Sequence, residues 1–127
     1  MGQLMILSYI ALGGAVGACS RYLVSELCIL LLGRGFPYGT LTVNVVGSAI
    51  MGLLIAAMEN ELVAESPWRL IIGLGFLGAF TTFSTFSMDN VLLMQQGAFF
   101  KMGLNVLLNV GLSISAAWIG FHFLIKN

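Results

Sequence analysis

Residues 75–87 read GFLGAFTTFSTFS, which places five hydroxyl side chains and two glycines inside an otherwise apolar stretch of membrane-spanning length. In hydrocarbon, backbone that leaves helical geometry is tolerated only where it is buried in protein or lines a polar cavity. Polar side chains inside a span are costly and usually mark a functional site. The segment therefore predicts an interrupted membrane helix that lines a polar path.

The composition places the whole chain in a bilayer. Hydrophobic residues make up 59% of the 127 residues and charged residues only 8%, whereas a soluble domain carries about 25% charge. The charges separate four uncharged windows at 1–20, 36–58, 70–88 and 102–125, each close to the roughly 20 residues that a helix needs to cross.

These windows predict an all-α membrane protein with one four-helix transmembrane domain over residues 1–127. The expected helices are 4–31, 39–58, 67–95 with a break near 75–82, and 99–125. The connections are short and rich in glycine, proline and charge, and leave no room for a second domain. The first helix follows no basic segment and precedes no cleavage site, so we expect it to stay in the mature protein.

Positive charges in the loops are balanced between the two sides of the membrane. Arg69 and Lys126 fall on the side of the amino terminus, and Arg34 and Lys101 fall on the other. Because Lys and Arg in short loops normally bias to the cytoplasmic side, either one orientation prevails through other signals or the chain inserts both ways. Four helices enclose little interior, so a polar path predicts oligomerisation.

Regular polar stripes run along two of the predicted helices, with one member every four residues. The members are Thr40, Asn44 and Ser48 in the second helix and Asn105, Asn109 and Ser113 in the fourth. Such side chains commonly bridge packed membrane helices. Burying a carboxamide without a partner is costly, so two stripes must point toward each other or toward water. Beside a hydroxyl-rich interruption, they favour a conduction path.

Three further patterns bear on function. A single histidine and the absence of a spaced His, Cys and carboxylate cluster argue against an enzyme. Glycine faces, such as Gly13 and Gly17 in the first helix, predict close helix packing. Phe83 and Phe86 share a helix face; their rings either pack ordinarily or present edges that favour an anion or faces that favour a cation.

The motif at 75–87 closely resembles the signature of the small fluoride channels, the CrcB or Fluc family. GGAVGACSRY at 13–22 and GTLTVN at 39–44 agree with it in order and spacing. The resemblance covers nearly the whole chain. It implies a passive fluoride channel of the bacterial plasma (inner) membrane that relieves fluoride toxicity, built as an antiparallel, dual-topology homodimer with two pores.

The resemblance also implies roles for individual residues. Asn44 would donate to fluoride, and Phe83 and Phe86 would flank its path. The backbone carbonyls of Gly78 and Thr81 would hold a structural sodium ion shared by the two subunits. The remaining pore positions, implied by motif, are Thr40, Ser84, Thr85, Asn105, Asn109 and Ser113.

Some positions lie outside the pore or depart from the family pattern. Arg21 matches the family's helix-one arginine and would be structural or vestibular. Ala79 stands where the family often has a second glycine, and Asp89 stands near the pore mouth where a glutamate is common. Ala79 restricts the backbone at the break in the third helix. Asp89 places its carboxylate about one bond further back than a glutamate would.

Two other function classes compete with a fluoride channel. A small multidrug-type, proton-coupled cation transporter is also a four-helix dual-topology dimer, but it depends on a carboxylate in the middle of its first helix. Here the first helix has only Glu26, near its end. A structural subunit of a membrane complex would need glycine faces but no paired polar stripes.

Overall fold

The computed structural model describes residues 1–125, so Lys126, which enters the charge argument above, lies outside the described residues. Within them the chain is helical and contains no strand. Four helical segments are long and apolar enough to cross a membrane: Gln3–Leu32, Tyr38–Glu59, Arg69–Gln95 and Phe99–Leu124. We call them the first to fourth spans. They confirm the prediction of an all-helical protein with four spans.

The third span changes geometry along its length. Arg69–Leu77 is a π-helix, in which the N–H of Gly78 bonds to the carbonyl of Gly73, five residues back. Gly78–Phe80 forms a single α-helical turn, and Phe83–Gln95 is a regular α-helix. Between these two segments, Thr81 and Thr82 have extended backbone, with ψ angles of 157° and 116°. The wider π-turns are uncommon and often accompany functional sites.

Glycines set the contacts between helices. The first span packs against the π-helical part of the third span. There, a Cβ on Gly13 would overlap the carbonyl oxygen of Ile71, and one on Gly17 would overlap that of Phe76. The second and fourth spans make the most extensive contact in the chain. At that contact Gly52 lies against the backbone of the fourth span. Small residues thus let the backbones touch, as is usual in membranes.

The buried apolar core is small. Leu54, Met58 and Leu77 form its centre between the second and third spans. Most large apolar side chains are exposed, along the outer faces of all four spans. In a soluble protein such an apolar surface would aggregate, but in a bilayer it faces lipid or another subunit. The tight turns that end the first and third spans contain Gly33 and Gly97, whose positive φ angles of 81° and 73° favour glycine.

Candidate functional site

The centre of the site is the extended pair of residues in the third span. The hydroxyl of Thr82 accepts a hydrogen bond from the backbone N–H of Thr85 at 3.2 Å and so caps the helix that begins at Phe83. Threonine is well suited to this position, because its side-chain oxygen replaces a missing backbone acceptor. The Thr82 cap therefore defines Phe83 as the first residue of this helix.

Asn44 of the second span clamps the exposed peptide groups of Thr82. The Thr82 N–H donates to Asn44 Oδ1 at 2.8 Å, and Asn44 Nδ2 donates to the Thr82 carbonyl at 3.1 Å. Nδ2 also donates to Asn109 Oδ1 of the fourth span at 2.9 Å. Both amide protons of Asn44 are therefore engaged. The two polar stripes of the sequence meet at this Asn44 to Asn109 bond.

A cavity of about 430 Å³ opens beside this clamp. We call it the Asn44 cavity. Of the residues proposed from sequence for the pore and the sodium site, it is lined by Asn44, Gly78, Thr81, Phe83, Phe86, Asn109 and Ser113. The structure thus brings together most of those residues, from three different spans, around one space.

Ser113 has a hydroxyl group in the wall of the Asn44 cavity. Its Oγ is buried and has no hydrogen-bond partner among residues 1–125. A buried hydroxyl without a partner costs roughly 1 to 3 kcal/mol. The Ser113 O–H is therefore a donor available to a group that enters the cavity.

The two phenylalanines differ in their surroundings. Their ring centroids are 5.5 Å apart and the ring planes are inclined by 54°. Phe86 is 8% exposed and packs inside the subunit, whereas Phe83 is 78% exposed and points away from it. Phe83 lines the Asn44 cavity although most of its ring is exposed.

A second cavity, of about 390 Å³, lies near the start of the second span. We call it the Asp89 cavity. Thr40 and Asp89 lie in its wall, and the Thr40 hydroxyl donates to Asp89 Oδ2 at 2.7 Å. Arg34 and Thr85 also line it. Thr40 precedes Asn44 by four residues, so the two cavities lie about one helical turn apart along the second span.

Several residues proposed from sequence lie outside the Asn44 cavity. Thr40 and Thr85 line the Asp89 cavity instead, and Ser84 is exposed at the start of the restarted helix. Asn105 is completely buried and bonds only to other asparagines. Arg21 is half-buried on the first span and lines neither cavity.

Candidate cation ligands are backbone atoms. Within residues 1–125, no group of three or more His, Cys, Asp and Glu side chains is placed to hold a metal ion. The carbonyl oxygens of Gly78 and Thr81 accept no hydrogen bond from that part of the chain, because the extended backbone withdraws their helical partners. Free carbonyl oxygens of this kind are hard ligands that suit a hard cation. A Cβ added at Gly78 would meet only the carbonyl oxygen of Gly73, at 4.0 Å.

Two residues of the site were missed in the sequence. Thr82 lies inside the motif, and a threonine directly before a helical segment is a helix N-cap signal that could have identified it. Asn90 carries the acceptor for Asn105 Nδ2, at 3.0 Å. It follows the polar Asp89 within a span, but its spacing matches neither stripe, so only the folded chain reveals its partner.

Comparison with known proteins adds an independent line of evidence. A family model described as "CrcB-like protein, Camphor Resistance (CrcB)" matches residues 8–121. The fluoride-specific ion channel FluC of Vibrio parahaemolyticus is 81% identical over all 127 residues of both chains. That of Vibrio campbellii is 82% identical over the same extent, and that of Photobacterium profundum is 66% identical over the full length of both chains.

Proposed function

The chain belongs to the CrcB family, and from this premise we propose that it is a fluoride-selective channel whose four spans all cross the bacterial inner membrane. Its relatives at 81% and 82% identity over the whole chain are named fluoride-specific ion channels. This identity is the observation that carries the function. The family is a class of channels, not of enzymes, and a passive channel lets cytoplasmic fluoride leave down its gradient.

The alternative functions are not favoured. A proton-coupled multidrug transporter needs a carboxylate in the middle of the first span, whereas Glu26 lies near its end and is exposed. A purely structural subunit gives no reason for the unpartnered Ser113 hydroxyl or for the cavity that it lines. Both features suit a path for a small anion.

The Asn44 cavity is the proposed place where fluoride sheds water. Fluoride is small and strongly hydrated, so a selective path must replace its water with closely placed donors without holding it too firmly. Ser113 offers an O–H that has no acceptor among residues 1–125. Asn44 can donate an N–H to fluoride only if its bond to Asn109 breaks. The Oδ1 of Asn109 therefore competes with the ion for this donor. This competition keeps binding weak enough for exit.

Ser113→Ala tests the free donor. We expect fluoride flux to fall about tenfold or more, because a hydrogen bond to a charged group contributes roughly 1.5 to 3 kcal/mol. Thermal stability should stay equal or rise slightly, since the hydroxyl has no partner in the fold. Flux is measured as fluoride efflux from liposomes. Ser115→Ala, on the exposed side of the same span, is the matched control, and equal flux in the two variants would contradict the assignment.

We assign the Asp89 cavity to the mouth of the path. Arg34 in its wall attracts anions, while Thr40 occupies one oxygen of the Asp89 carboxylate. Thr40 and Thr85 then supply hydroxyls one turn before Asn44. Asp89 limits how strongly an anion is held there, because like charges repel. Arg21 lies outside this cavity, which favours a structural role for it.

We further propose that two copies assemble as an antiparallel homodimer with two pores. Support comes from the exposed Phe83 ring, which lacks a neighbour to form the other wall of the Asn44 cavity. The balanced loop charges are compatible with both insertions. A single chain also has a small buried core and leaves most of its large apolar side chains exposed, so it does not enclose a path by itself.

A structural sodium ion fits the free carbonyls of the third span. Gly78 and Thr81 would hold it, and the lack of a side chain at Gly78 would let a second copy bring the same oxygens close. A bound sodium ion would supply positive charge that ties the two third spans together. The chain's own contribution is the extended geometry of Thr81, which turns its carbonyl out of the helix.

Fluoride efflux tests the proposed function directly. Purified wild-type protein in liposomes is expected to release fluoride rapidly, as read with a fluoride electrode, and to release no chloride above protein-free vesicles. The physical reason is that a narrow path of neutral donors fits the smaller ion. Monodisperse protein that released neither ion, or both equally, would contradict a fluoride-selective channel.

A further inference from the structure

Four side-chain amides form a single hydrogen-bonded chain between the third, second and fourth spans. Asn44 Nδ2 donates to Asn109 Oδ1, Asn109 Nδ2 donates to Asn105 Oδ1, and Asn105 Nδ2 donates to Asn90 Oδ1. The three distances lie between 2.9 and 3.0 Å. We call this set the amide chain. Every bond in it runs in the same direction.

Backbone groups fix that direction. The Thr82 N–H can only donate, so Oδ1 of Asn44 must face it, and Nδ2 must face the Thr82 carbonyl. The backbone carbonyl of Asn105 can only accept, so it must face Nδ2 of Asn109, at 2.9 Å. The oxygen of Asn109 is thereby turned toward Asn44. The acceptor for the buried Nδ2 of Asn105 must then come from Asn90.

We propose that Asn90 is a positioning residue for the fluoride path, an inference that rests on the proposed function. Asn105 is 0% exposed, so its amide protons have no water to bond when Asn90 is absent. The remaining acceptor within reach is the Asn109 amide oxygen; to bond it, the Asn109 amide gives up its bond to the Asn105 backbone carbonyl and turns its oxygen away from Asn44. Asn44 then has an N–H without a protein acceptor, and it holds fluoride more firmly than the intact chain allows.

The consequence is a specific pattern in Asn90→Leu. Both the maximal fluoride flux and the fluoride concentration that gives half-maximal flux are expected to fall, each by about three- to tenfold, the range for one hydrogen bond. A variant that merely loosened the fold would lose flux without gaining affinity. Met94→Leu, one turn further along the same helix at an exposed position, is the matched control.

A second measurement follows the amide chain itself and does not depend on fluoride. Full-length protein with ¹⁵N-labelled asparagine is studied by NMR in lipid nanodiscs. In the wild type the Asn109 side-chain protons should exchange slowly, because both are bonded. Asn90→Leu should speed this exchange, whereas Asn90→Asp, which keeps an acceptor oxygen for Asn105, should restore slow exchange whatever its added charge does to flux.

The outcomes separate clearly. Loss of maximal flux with a lower half-saturating concentration and faster Asn109 exchange supports the positioning role. Wild-type flux in Asn90→Leu, or reduced flux with unchanged Asn109 exchange, overturns it. Absence of fluoride flux in the wild-type protein would contradict the proposed function, and in that case the exchange data alone decide whether Asn90 anchors the amide chain.

Discussion

Replacing Asn44 with leucine is expected to reduce fluoride flux by about 100-fold or more. Leucine has nearly the shape of asparagine but removes three hydrogen bonds, two to the peptide groups of Thr82 and one to Asn109. Each bond contributes about 1 to 1.5 kcal/mol to the stability of this arrangement, so their loss removes roughly 3 to 4 kcal/mol of that stability. The same change removes the N–H that can be given to the ion. Efflux from liposomes measures the result.

A misfolded protein must be separated from a blocked one. Asn44→Asp keeps the oxygen that accepts from the Thr82 N–H and loses both donors, so it should fold with the Thr82 bond intact and still conduct poorly. Val46→Leu, on an exposed face of the same span, is the control and should conduct like the wild type. Flux in Asn44→Leu within threefold of the control would show that the clamp is not part of the path.

The second large effect concerns the packing of the first span. Gly17→Ala is expected to lower the free energy of unfolding by about 3 kcal/mol, because the added Cβ overlaps the backbone carbonyl of Phe76, which cannot rotate away as a side chain would. The π-helical part of the third span then moves, and the Thr81 and Thr82 peptides move with it. Thermal unfolding in detergent, followed by size-exclusion chromatography, measures the loss.

Gly14→Ala provides a matched control for this prediction. Gly14 lies three residues earlier on the same helix, and the nearest atom to its added Cβ is the carbonyl oxygen of Gly75 at 3.9 Å, an ordinary contact. Its stability should stay within about 0.5 kcal/mol of the wild type. Similar losses in both variants would contradict the assignment to the Phe76 contact, because helix propensity by itself favours alanine over glycine.

Both effects reach the same place in the molecule. Gly17 fixes the third span from one side, and Asn44 fixes the peptide of Thr82 from the other. An extended pair of residues inside a span is held only by such neighbours, because hydrocarbon offers its peptide groups no partner. Conduction and stability are therefore coupled at Thr81 and Thr82.

The number of spans and the family could be predicted from sequence. Apolar windows of membrane length depend only on composition along the chain, and the motif at 75–87 is local. The meeting of the polar stripes was also predictable, since each stripe follows from the helical repeat and buried amides need partners. The Asn44 to Asn109 bond is the observed contact.

The partners of individual polar groups required the tertiary structure. Nothing in the sequence indicates that Thr40 donates to Asp89 and not to the path's centre, that Asn105 bonds to Asn90, or that both protons of Asn44 are occupied. These bonds join residues 15 to 65 positions apart.

Along this chain, hydropathy by itself determined that four helices cross a bilayer, because burial in lipid acts on each segment separately. Only the tertiary structure decided which donor remains free for an ion. A hydrogen bond needs two groups within about 3 Å in the right orientation. Whether two groups reach that geometry depends on how whole spans pack together, and it does not follow from the residues of a single span.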